Sequence, residues 1–65
     1  MSKDTKFDVA YKAMMTFYDE FTTKDVYRMV DISYNSLKMY LYKFSEMGLV
    51  ERNFVGNKYI YKVVR

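Results

Sequence analysis

Apolar residues recur at three- and four-residue steps over about residues 5–19, where Phe7, Ala10, Tyr11, Met14, Phe17 and Tyr18 trace one stripe of an amphipathic helix. Phe21 then leads into Thr22-Thr23-Lys24-Asp25. There the Thr22 hydroxyl can accept from the Asp25 amide while the Asp25 carboxylate reaches back, a short-armed capping box that predicts a second helix over about 23–30. Val26, Met29 and Val30 form its apolar face. Ser33 brings a new cap, and Leu37, Leu41 and Phe44 at i, i+4 and i+7 predict a third helix over about 34–47. Gly48, tolerant of a left-handed cap, ends it. Beyond Gly48 the apolar period falls to two, which predicts strands over about 49–54 and 58–64. Gly56-Asn57 joins them, and glycine at the first central position suits a two-residue type II′ hairpin.

The expected class is therefore mainly α with a C-terminal β-hairpin. Sixty-five residues leave room for one domain, 1–65, and for one small core. Half the residues are hydrophobic and a fifth aromatic, which separates the chain from disordered sequences. It has no Cys, His or Pro, which excludes disulfides and zinc sites built from Cys or His. Neither a Gly-rich phosphate loop nor a carboxylate pair on a shared face is present, so no enzyme activity, cofactor, metal or small-molecule effector is expected. No stretch reads as a leader or a membrane span, and the expectation is a cytoplasmic protein, nucleoid-associated or in a host cytoplasm if viral.

Charge is unevenly placed. Residues 1–33 hold five bases against six acids, and residues 34–65 hold six bases against two acids. A polyanion would meet the second half.

Two helices joined by a short turn and followed by a hairpin are the order of a helix-turn-helix with a wing. The chain resembles the winged helix-turn-helix DNA-binding family of small bacterial, archaeal or viral transcriptional regulators. The likeness is carried by Ile32-Ser33-Tyr34-Asn35-Ser36-Leu37, by Leu41 and Phe44, by Gly48-Leu49-Val50-Glu51-Arg52, and by the run Tyr59, Tyr61, Val63. The resemblance implies a three-helix core plus wing, with Tyr59, Tyr61 and Val63 packed back on the helices. Dimeric members usually carry extra helices; here a homodimer would use helix one, through a ridge of Tyr11, Met15 and Tyr18, or the wing edge.

Taking Leu37 as the buried direction and advancing 100° per residue sends Asn35, Met39, Tyr42 and Glu46 to the opposite side of helix three, with Lys38 on one flank and Ser36 and Lys43 on the other. With Tyr34 near the helix start, these, apart from Glu46, make the surface a recognition helix presents. Asn35 is the best base reader, since its amide can pair with an adenine edge. Met39 and Tyr42 suit thymine methyls, and the hydroxyls of Tyr34 and Tyr42 suit phosphate oxygens. Asn57 and Lys58 at the wing tip can enter the neighbouring minor groove, while Arg52 and Lys62 can bind phosphate or pair with Glu51. Thr23 and Lys24 open helix two.

Double-stranded DNA is thus the expected partner, with no membrane partner. The alternative is a protein-binding module on the same fold that inhibits or recruits an enzyme or polymerase, for which the aromatics Tyr34, Tyr42 and Tyr61 are the candidate surface. Single-stranded nucleic acid stacked on Tyr and Phe is a third reading.

Overall fold

The first helix begins where its cap sits. In the computed structural model, which describes residues 5–65, the Thr5 hydroxyl accepts from the Asp8 amide at 3.1 Å and α1 runs over Lys6–Met14. Residues 1–4 of the expected 1–65 domain lie outside the described residues. The helix stops well short of residue 19. The Thr16 hydroxyl folds back on the Ala13 carbonyl at 2.7 Å, and the amides of Thr16 and Phe17 bond carbonyls three residues back, tightening the chain out of the α-helical path. Arg65 then takes the carbonyls of Met15 and Phe17 at 2.8 and 3.0 Å. Phe17 stacks on Phe21 instead of extending the helical stripe, with ring centroids 4.9 Å apart.

The capping box forms as the spacing requires, with Asp25 N–H donating to Thr22 Oγ1 at 3.3 Å and Thr22 N–H donating to the Asp25 carboxylate at 2.9 Å. The helix it opens, α2, is only Thr23–Tyr27, shorter than the expected 23–30. The Met29 amide bonds the Val26 carbonyl at 2.9 Å, a tight closing turn that leaves Met29 exposed rather than on an apolar helix face.

Ser33 caps α3, Tyr34–Glu46, by accepting from the Ser36 amide at 3.3 Å. Its far end is a Schellman motif: Gly48 has φ of 80°, its amide bonds the Ser45 carbonyl, and the Leu49 amide bonds the Phe44 carbonyl at 2.9 Å. Leu37, Leu41 and Phe44 are fully buried along one side, where Ala10 and Met14 of α1 and Val26 of α2 meet them.

Two antiparallel strands follow, β1 Val50–Val55 and β2 Lys58–Val63, in a register that pairs Val50 with Val63 and Val55 with Lys58. Leu49 belongs to the helix cap rather than to β1. At the turn Gly56 and Asn57 have φ of 56° and 68°, so both central residues are left-handed and the turn has the type I′ pattern, not the expected type II′. Asn is among the few side chains that adopt this conformation readily, and the type I′ twist matches that of the strands. The hairpin is moored by Phe21, whose backbone exchanges two hydrogen bonds with Tyr61 at 2.8 and 2.7 Å. Tyr61, Val63 and Val50 close the core.

A concave basic face between helix three and the hairpin

Side chains alternate across the hairpin, so Val50, Arg52 and Phe54 share a face with their partners Val63, Tyr61 and Tyr59. The inner end of that face is core. Its outer end, with the solvent side of α3 and the start of α2, walls a concavity of about 1150 Å³.

Eight of the expected contact residues line it. Tyr34, Lys38, Met39, Tyr42 and Lys43 come from α3, Arg52 from β1, and Asn57 and Lys58 from the turn and β2. Three do not. Asn35 is exposed near the start of α3 but lies outside the concavity, and Ser36 is outside it too, with its amide engaged in the Ser33 cap. Lys62 alternates onto the opposite face of the wing, across from Glu51.

The concavity carries five cations, Lys24, Lys38, Lys43, Arg52 and Lys58, against the single carboxylate of Glu46. That is a local balance of four positive charges where the whole chain carries +3. The face is also aromatic. The Arg52 guanidinium lies between two rings, 4.6 Å from the centroid of Tyr42 and 4.6 Å from that of Tyr59. A planar cation so held locks the hairpin to α3, and the guanidinium N–H groups not turned to Tyr61 can meet an anion. Tyr34 is packed edge-on against Tyr27, with centroids 5.6 Å apart, and has the Lys38 ammonium over its ring at 5.9 Å.

Below Arg52 lies Tyr61, which is 3% exposed: with Val63 it packs back on the helices as the resemblance implies, and it is not the exposed aromatic of the protein-binding alternative. Burial pushes its phenol above the ordinary value, against the opposing pull of the Thr23 hydroxyl and the Arg52 guanidinium beside it. The phenol is a neutral strut between α2 and the wing, and Thr23, buried beside it, lines the concavity with it. Tyr59 departs from the expected inward packing, since it is exposed and serves as the outer plate of the Arg52 stack. Phe54, Tyr59 and Met47 also line the concavity, although none is among the contact residues expected from the sequence. The period of two already places Phe54 and Tyr59 on the face of Arg52; only the direction of that face is missing from it.

A scan against protein-family models and a search of curated proteins returned no match to the chain. Among solved structures it is similar to TubR bound to 24 bp of tubC from Bacillus thuringiensis serovar israelensis pBtoxis, at 22% identity and a TM-score of 0.72, over 88% of this chain and 68% of that one. With three helices, a capped turn before the third and a terminal antiparallel hairpin, and with that likeness over most of its length, the chain has the winged helix-turn-helix fold.

Proposed function

We propose that this chain is a sequence-specific double-stranded DNA-binding protein of the transcriptional-regulator kind, and not an enzyme. The observation that carries the reading is the convergence of the solvent side of α3, the wing and five cations on one concave surface. A helix presenting a free polar face suits the major groove, and a wing beside it suits the adjoining minor groove. That TubR was solved on duplex DNA supports the same partner here. Lys24, Lys38, Lys43, Arg52 and Lys58 bind phosphates, together with the hydroxyls of Tyr34 and Tyr42. Met39, 63% exposed at the middle of α3, meets thymine methyls. Asn35, free on the crest just outside the concavity, reads an adenine edge, and Asn57 enters the minor groove.

The chain works where DNA is, in the cytoplasm of a microbe or of a virus-infected host. None of the described helices is long and apolar enough to cross a membrane.

Two copies on one operator fit this reading. Twenty-four base pairs, the length on which TubR was solved, span about 80 Å at 3.4 Å per pair, whereas the longest dimension of this molecule is 41 Å. The expected ridge on helix one is broken up, because Tyr11 and Met15 pack partly into the core and α1 ends at Met14, before Tyr18, which is 77% exposed beside Arg65. The outer edge of β1 has no strand against it among the described residues.

Selection from random duplex oligonucleotides, with single strands as competitors, tests the proposal. The expected result is one enriched duplex motif, arranged as two half-sites about one helical turn apart, that single strands fail to displace. Enrichment of no motif would remove the proposal. Within that motif, Asn35→Ala is expected to flatten preference at one position, costing about 1–3 kcal/mol for the favoured base and little for the others. Affinities for the four base pairs at each position measure it, and an unchanged profile would take Asn35 out of the reading set.

A further inference from the structure

The cation stack at Arg52 does not end at Tyr59. The rings and the guanidinium form a row, Tyr42, Arg52, Tyr59 and Phe54, running from α3 out to the tip of the wing. Successive members are 4.6, 4.6 and 4.9 Å apart. Its last member is the anomaly. Phe54 rests on Tyr59 on one side and is 62% exposed on the other. It stands two residues before the turn, on the face that carries Arg52, and Asn57 of the turn and Lys58 after it line the same concavity. A solitary exposed apolar residue needs no explanation. A phenyl ring tilted against Tyr59 at the end of a row that includes Arg52 is different, because one side of it is packed while its surroundings suit a polyanion that also offers apolar surface.

The minor groove of a duplex is such a surface, with phosphates along its rims and sugar and base edges inside. A rigid apolar side chain entering it can wedge adjacent base pairs apart, and the closer wrapping of the bent duplex on the protein offsets the lost stacking. Steps of pyrimidine followed by purine open most easily.

Building on the duplex-binding reading above, we infer that Phe54 is a wedge, backed by Tyr59 and Arg52, that enters the minor groove flanking the site of α3 and partly unstacks a pyrimidine–purine step there. Lys58 and Arg52 hold the phosphates on either side of it. The wing then contributes a preference for deformable sequence without reading any base edge.

The test uses the full chain and a duplex selected by it, with 2-aminopurine placed in turn at each step flanking the central motif. Emission from that base rises when it is unstacked. Binding of the parent protein is expected to raise emission at one step, and an end-labelled duplex is expected to shorten by energy transfer. Phe54→Ala should lose both signals while keeping the dependence of affinity on salt, since no phosphate contact is removed; Phe54→Leu, still an apolar wedge, should keep some of the emission. Because Phe54 is mostly exposed, the melting temperature of both variants should stay near that of the parent.

No rise at any step, or an equal rise with Phe54→Ala, would overturn the wedge. If the duplex is still bound with steep salt dependence in that case, the duplex-binding reading survives and only the wedge fails. Failure of the parent protein to retain any duplex overturns both.

Discussion

Phe44→Ala is expected to remove about half or more of the protein's stability at room temperature. Phe44 is fully buried on α3, and its ring meets Phe7 at 4.8 Å and Tyr11 at 5.7 Å, both from α1. Phe7 in turn meets Tyr40 edge-on at 5.5 Å, so one ring ties the two longest helices together. Truncating a buried Phe costs about 3–5 kcal/mol, the lost transfer energy plus the cavity left behind. A chain of 65 residues has a total stability of roughly 3–10 kcal/mol at about 0.05–0.15 kcal/mol per residue. Urea titration followed by circular dichroism checks the expectation, with Phe44→Leu falling between the two. An unchanged midpoint would mean that Phe44 is not the joint between α1 and α3. The outward direction assigned to Met39 and Tyr42 would then fall with it, because those positions are opposite Phe44 on the same helix.

That joint is readable from spacing alone. Leu37, Leu41 and Phe44 lie within one arc at 100° per residue, and all three are fully buried. Caps are legible for the same reason: Thr22 with Asp25, Ser33 with the Ser36 amide, and Gly48 act on neighbours a few residues away. Expectation and structure diverge where a distant residue decides the outcome. The apolar period of α1 continues through Phe17 and Tyr18, yet Arg65, far along the chain, takes the carbonyls that a longer helix would have used. The wing face shows the same division. Alternation puts Arg52, Phe54 and Tyr59 together, but whether they meet the core or the solvent depends on Phe21 bridging Tyr61 and on Tyr42 reaching Arg52 across from α3. Lys62 groups with the other cations by charge, whereas strand parity sets it on the far side. The candidate site is therefore legible as a helix face and a basic half. The sandwich that joins helix to wing is not.

Because that sandwich fixes Arg52 in place, the five cations of the concavity act as one surface, and duplex affinity is expected to fall steeply with salt. Each phosphate neutralised releases condensed counterions and contributes about −0.9 to the slope of log affinity against log salt, so five contacts give a slope of about −4.5. Between about 50 and 200 mM salt that slope amounts to a loss of roughly 500-fold. Fluorescence anisotropy of a labelled duplex over this range measures it. Lys58→Ala should flatten the slope by about 0.9 and weaken selected and random duplexes alike, since a phosphate contact carries no sequence information. Arg52→Lys separates charge from shape: the slope should hold while affinity drops, because an ammonium keeps the charge but cannot stack as a plane between Tyr42 and Tyr59. A protein partner seated on the same aromatic surface would behave otherwise, held by apolar burial that rising salt does not screen. A slope near zero with binding intact would therefore reassign the concavity from DNA to protein, even though every residue lining it stayed the same.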